Sequence, residues 1–594
     1  MKQSLLAFCL FLLLSKLGAQ EVPSLSPKQW IQDLNQLERL IQEKHADPFW
    51  LSDQEKFSTQ VYQSAKILSQ PGIASEQGLV ELMKVIASLR DGHSSIAGED
   101  RYTYFGYVPM SLEWFEEGFI LNRVTREYEE VLGARLLSIE GMEIEEVLEK
   151  LRTVIPHANE SRVLKFAPYY LHLPGLLYGL GISSSADVMK LKFENSAGKS
   201  FELELKNLGA DGETEMRSLE AQMPDIPLHR QKADRSYWFS YLEKEKILYL
   251  KFNRVSSDKE ESIWAFTERL FEFVEANQIE KFVVDIRDNG GGNGGLSAGL
   301  WKGIEDNPKI NQSGKLFVIT GYKTFSAALS FASYLELRTK AIFVGQEACD
   351  YLNHPGDSED YALSNSGIRA RLSALYHQSS FFQDERQSLF PDHKLIPSFA
   401  SFEQGKDEAL DFIKAYTHTP KAVAAVENPK LIGTYDFSPE RRLMLENRNG
   451  KLYVRIEGKM DSPLYQESKH EFGTEVKGLR LSWRKDNSLE VQYPDTKVRV
   501  LPKLDNPPPS ILGLIYEGNL AAAEQEFLRM KESCPSCHLH KDHALAGLAL
   551  EVLYDLRSTL GADKARELAK EILKMSMRIN PASHDFSKES LKYY

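Results

Sequence analysis

The chain has 594 residues, 42% of them hydrophobic and 26% charged, with a formal net charge of −13 at pH 7. A single hydrophobic core stops growing well before that length, so about three to five domains are expected. No Lys/Arg block or basic aromatic stripe offers itself to a phosphate backbone, which excludes nucleic acid as a partner.

In chain order, residues 1–20 have the pattern of a secretory signal: Lys2, an apolar run from Leu5 to Leu14 too short to span a membrane, and Gly18-Ala19-Gln20 as a small-residue cleavage region. The mature protein is expected to start near Glu21 and to be secreted or periplasmic. No later stretch is apolar enough for a transmembrane segment. Only Cys349, Cys534 and Cys537 follow the signal, too few for a disulfide scaffold.

Residues 21–100 read as a helical amino-terminal region. Trp30, Leu34, Leu37, Leu40 and Ile41 recur at three- and four-residue spacing, and a second run from Leu79 to Leu89 ends at Asp91-Gly92-His93-Ser94, with Gly92 as the helix stop. Residues 101–235 turn to short strands around 118–124, 134–139 and 188–193, broken by a helix over 144–154. From Ile247 strands and helices alternate: strand 247–252, helix 259–277, strand 281–286, a glycine turn, a helix to Ile304, strand 315–320, a helix from Ser326, strand 341–344. That rhythm predicts parallel βαβ units with buried strands, a catalytic core over residues 236–420 and an α/β fold class. A second β-rich module follows over 425–505, with Asn449-Gly450 as a hairpin turn. The proline run 507–509 then opens a helical, tetratricopeptide-like tail, residues 506–594, which could recruit a protein partner.

Two turns carry the chemistry. The first, Arg287-Asp-Asn-Gly-Gly-Gly292, leaves a buried strand with its amides turned outward, and three adjacent glycines imply close approach or positive φ. Gly290, Gly292 and Gly295 also fit GxGxxG, but the next strand ends in Gly321-Tyr322-Lys323 without the acidic residue that would hold a ribose, so no dinucleotide is expected. At the second turn Ser326 stands where a parallel strand hands over to a helix, on the carboxyl edge of the sheet where α/β folds place ligands. A serine there serves either as an N-cap or as a nucleophile backed by the helix dipole. In the tail, Cys534-Pro-Ser-Cys-His538 matches a haem-attachment pattern, set against a disulfide or free thiols; no cofactor and no metal are expected.

Taken together, the D-x-R-x-N-x-G-G turn within 283–292, the T-x-S-A segment Thr324–Ala327 and the Asp91-Gly92-His93-Ser94 element resemble the carboxyl-terminal processing, or tail-specific, protease family, which includes the tricorn protease core. Phe343-Val-Gly-Gln-Glu347 and Leu363-Ser-Asn-Ser-Gly367 resemble the segments after its serine, and the likeness covers roughly residues 75–415. It implies a crotonase-like catalytic core and a serine peptidase acting on a peptide or protein substrate. Residues 132–141 are similar to part of a PDZ-like domain, which makes residues 101–235 a PDZ-like module. The lysine of a Ser–Lys dyad is missing from 348–352, so the resemblance points to the histidine-using, tricorn-like branch. Ser326 is then the nucleophile and His93 its base, with the amides of Gly291 and Ala327 as the oxyanion hole and Glu385 orienting His93 by analogy of position. Asp91 and Glu347 stay open for that last role. The competing reading is a catalytically silent relative that binds a peptide or partner.

Overall fold

The structure, a computed structural model, describes residues 24–593 apart from 99, 211, 213, 381–383, 469, 494–495, 536 and 583–584; the signal segment expected at 1–20 lies outside them. Among the described residues no helix is long and apolar enough to cross a membrane. The chain divides into two compact units. The first comprises Met1–Pro227, Asp357–Ala374 and Pro397–Lys406, and the second Leu228–Gly356, Leu375–Ile396 and Asp407–Tyr594.

The first unit opens with three helices: α1 (Pro27–Lys44), α2 (Gln54–Leu68) and α3 (Ser75–Ala87). Ser26 and Gln29 form a reciprocal capping box at the start of α1, and Pro27 occupies the position where its missing N–H is not needed. The apolar stripe of α1 buries Trp30, Leu34, Leu37 and Ile41. Gly78 of α3 lets Trp30 lie against the helix, since a Cβ there would stand 2.5 Å from the indole ring. Beyond the helices a seven-stranded sheet has Met110–Phe115, Gly118–Thr125, Arg135–Ile139, Val188–Glu194 and Ser200–Lys206 side by side in that order. Its last two strands alternate buried and exposed positions, as one-sided antiparallel strands do. The strands expected at 118–124, 134–139 and 188–193 are present, and the intervening helix is Ile144–Arg152. The pattern did not predict the helices Glu160–Tyr170 and Pro174–Gly179: Pro168 inside the first hides its period, and the second is too short to show one.

The second unit contains the alternating core. Its six-stranded sheet runs β6-β5-β4-β3-β2-β1, with β1 Tyr237–Leu242, β2 Ile247–Phe252, β3 Lys281–Asp285, β4 Leu316–Thr320, β5 Ile342–Gly345 and β6 His393–Lys394. The strands β2 to β6 are parallel, and β1 is antiparallel at the edge. Leu248, Leu250, Phe282 and Val284 pack on one face and Tyr249, Val283, Phe317 and Ile319 on the other, which is why these strands read as unbroken apolar runs. The crossing helices are α4 (Ile263–Ala276), α5 (Ala298–Asp306) and α6 (Ala327–Arg338). Two five-stranded antiparallel sheets follow and share one apolar core. Asn449 (φ 52°) and Gly450 (φ 79°) make the expected hairpin turn, with Arg448 paired to Lys451. The chain ends in helices from Ile511–Tyr516 to Asp585–Ser590.

Candidate active site

Ser326 is the residue immediately before α6, at the end of the turn that follows β4, and its backbone is unusual. It sits at φ 52°, ψ −129°, where a side chain crowds its own backbone, at a cost of about 1–3 kcal/mol. Its hydroxyl makes no cap bond to the helix it precedes. An N-cap serine would be extended and would spend its oxygen on the first turn. Ser326 does neither, and it is half-buried at the sharp strand-to-helix turn.

The neighbouring glycine turn holds this geometry in place. Asn289 is fully buried: its side-chain amide donates to the Phe252 carbonyl at 2.9 Å, its Oδ1 accepts from Gly291 N–H at 2.9 Å, and its carbonyl accepts from Phe325 N–H at 3.1 Å. Thr324 ties the second turn to the first by donating to the Ile286 carbonyl at 3.0 Å. Gly291 (φ +103°) lies so close that a Cβ there would stand 2.8 Å from the Cβ of Ser326 and 3.1 Å from Ala327 N. Gly292 (φ +137°) clears the Val255 carbonyl, which a Cβ would meet at 2.3 Å. Ser326, Ala327 and Gly291 are therefore brought together.

Beneath the turn lies a buried charge network. Arg287 donates through both terminal nitrogens to Asp407, at 2.9 and 3.0 Å, and also pairs with Asp285 at 2.9 Å. Lys251, fully buried, bridges Asp285 (3.2 Å) and Asp288 (2.8 Å), while Tyr249 donates to Asp285 at 2.6 Å and the His229 ring lies 3.1 Å from Asp407. Burial works against the charge of Asp407, yet the Arg287 guanidinium and the hydrogen bond to His229 hold its carboxyl well below the usual range. The same balance raises Arg287 well above its ordinary value through Asp285 and Asp407. The Asp and Arg of the D-x-R-x-N-x-G-G turn are thus its foundation, and the Asn is its tie.

His93 belongs to the first unit. The helix before it ends earlier than expected: α3 stops at Ala87, and Arg90 (φ 59°), held by its own bond to the Ala158 carbonyl at 3.0 Å, makes the reversal assigned to Gly92. Asp91 is a buried hub that accepts from His93 N–H (2.9 Å), Ser94 (2.5 Å) and Ser373 (2.6 Å), with the His45 ring at 2.9 Å. Burial opposes its charge, but the hydrogen bond and charge of His45, then the charge of His93 and the Ser373 bond, hold it well below the usual carboxylate range. Asp91 thus fixes the backbone of His93 while its carboxylate faces the ring of His45. Glu347 pairs on the surface with Lys394 at 2.8 Å. Glu385 is exposed and lines a cavity of the carboxyl-terminal β-rich module beside Arg499. Sequence reasoning missed Asp407 and His229, because charge partners so distant in the chain leave no local spacing. Cys534 and Cys537 form a disulfide, and His538 stacks on Tyr376 at 3.9 Å.

No family model matches the sequence, and no curated protein matches it. Among solved structures the chain is similar to mature CPAF complexed with lactacystin: 16% identity, TM-score 0.50, covering 66% of this chain and 98% of that one. Mature CPAF alone gives 17% identity and TM-score 0.50 over 66% and 97% of the two chains. The photosystem II D1 C-terminal processing protease is also similar, at 12% identity and TM-score 0.32 over 64% and 98%.

Three substitutions test this architecture. Asp407→Asn removes the two-pronged partner of Arg287 and leaves it only Asp285, and should destabilise by about 1.5–3 kcal/mol in denaturant unfolding; an unchanged midpoint would remove the network from its role. Gly291→Ala should cost about 1–3 kcal/mol and displace the glycine turn from Ser326; a variant crystal structure superimposing on the parent would contradict this. Because the folded-state pKa of Asp91 is depressed, its stabilisation is complete above the unfolded value of about 3.9 and is lost as pH falls through the folded value. Asp91→Asn should therefore flatten the acid limb of the melting-temperature profile, whereas parallel curves for the two proteins would refute the assignment.

The chain is mixed α/β, and over 66% of its length it is similar in fold to mature CPAF.

Proposed function

We propose that this protein is a serine peptidase that cleaves peptide bonds through an acyl-enzyme. The observation that carries the reading is the strained Ser326, left uncapped and pressed against Gly291 at the carboxyl edge of a parallel sheet. The shared fold with mature CPAF and the sequence motifs support it in addition. On this reading the core is crotonase-like, residues 101–235 form a PDZ-like module that receives part of the substrate chain, and residues 1–20 export the protein.

In the proposed reaction Ser326 Oγ attacks the scissile carbonyl carbon, and its proton passes to the imidazole of His93, assigned as base from the sequence motif. The C–N bond then breaks as the imidazolium returns that proton to the leaving amine, and water, activated the same way, releases the acid and restores the serine. Negative charge on the carbonyl oxygen is received by the amides of Ala327 and Gly291. Asn289 fixes the Gly291 peptide, and the oxyanion shares that hydrogen with Asn289 Oδ1. The backbone turn spends folding stability to hold donors in place before substrate arrives, which is the arrangement electrostatic stabilisation requires.

The test is mass spectrometry of a peptide library incubated with wild type, Ser326→Ala and His93→Ala. Wild type should cleave, and each variant should lose about 10⁴–10⁶ in rate while keeping its fold. Retained cleavage by Ser326→Ala would remove the nucleophile, and a silent wild type would favour the peptide-binding scaffold.

A further inference from the structure

We infer, on the strength of the peptidase reading, that Trp264 walls a substrate subsite beside Ser326 and takes an apolar side chain of the peptide, about two or three residues from the scissile bond. The apolar stripe of α4 is Ile263, Phe266, Leu270 and Val274, all buried. Trp264 lies one residue off that stripe, turned about 100° from it, and is 50% exposed. The segment before it, Ser257-Asp-Lys-Glu-Glu-Ser262, is polar and charged, so the pattern calls for a polar residue at 264 as well. Trp301 of α5 shows how a tryptophan is otherwise used in this layer: it is 3% exposed and stacks on Tyr334 at 5.0 Å. A half-open indole presents a large, rigid apolar face, which is why tryptophan is enriched where partners dock.

The place of Trp264 relative to the nucleophile follows from the fold. The helices α4, α5 and α6 all start at the carboxyl edge of the sheet and pack on the same face of it, through Phe266, Trp301 and Phe331. The 3₁₀ turn Gly294–Ser297 stands between the starts of α4 and α6. At one end, a Cβ on Gly294 would stand 3.7 Å from the Cβ of Ala327, the residue after Ser326. Past the other end, a Cβ on Gly299 would stand 3.6 Å from the Trp264 ring. From Gly294 to Gly299 the backbone advances about 8 Å at helical rise, which an extended peptide covers in two or three residues of about 3.3 Å each. The floor between carries little bulk: Asn293, Gly294 and Gly295 are exposed, and Leu296 is half-buried. A peptide with its carbonyl at Ser326 lies over these glycines and brings one side chain to the indole. An apolar side chain gains burial against the ring there.

Profiling of the bonds cut in a peptide library by wild type, Trp264→Ala and Trp264→Phe tests the subsite. Wild-type cuts should be enriched in phenylalanine, leucine and methionine at one position, about two or three residues from the cut. Trp264→Ala should lower that enrichment about tenfold or more relative to glycine at the same position, and Trp264→Phe should restore most of it. A uniform fall for every peptide means a merely structural role and overturns the subsite, as does an enrichment that survives in Trp264→Ala. Enrichment of lysine or arginine that vanishes in Trp264→Ala overturns the apolar class. A second measurement needs no turnover. On irradiation with Ser326→Ala, an alanine hexapeptide carrying one benzoylphenylalanine should attach to Trp264 or Leu296. An excess of the same peptide with phenylalanine in that place should compete, and the version with lysine should not. Attachment elsewhere, or none, overturns the subsite. Attachment at Trp264 in a protein whose wild type cleaves nothing keeps the subsite and removes the peptidase reading.

Discussion

A Cβ at Gly291 would stand 2.8 Å from that of Ser326, so the glycine turn and the strained serine lie this close only because residue 291 has no side chain. The rest of the second unit is arranged to sustain this contact. Parallel strands buried on both faces fix where β3 and β4 end, and the side chain and carbonyl of Asn289 lock the two turns that follow them. The strain at one serine is small beside the burial of strands such as Phe282–Val284 and Leu316–Ile319, so the sheet can impose it.

The foundation under the glycine turn is ionic. Lys251, Asp285 and Asp407 are buried and Arg287 and Asp288 partly so, and their short contacts give position more than net stability. A comparable pair, Arg386 with Glu336, holds α6 from its far end, so the helix that follows Ser326 is tied to distant segments near both termini.

Much of this could be read in the sequence, for physical reasons. Buried parallel strands are continuous apolar runs, so β2 to β5 were found within a residue of their ends, and the glycine-dense turn and the serine after β4 stood out because their neighbours were so regular. What escaped was non-local or obscured. Asp407 and His229 meet Arg287 only in the fold, Pro168 conceals the helix 160–170, and the reversal before His93 falls at Arg90, a residue type that gives no hint of a left-handed conformation.

The central claim is that Ser326 is a nucleophile, and the most direct measurement is tandem mass spectrometry of the native protein after reaction with a fluorophosphonate. The account predicts one stoichiometric adduct, on the peptide carrying Ser326, and none after denaturation. An adduct on a different serine, or a native protein that stays unlabelled while cleaving peptides, would contradict it.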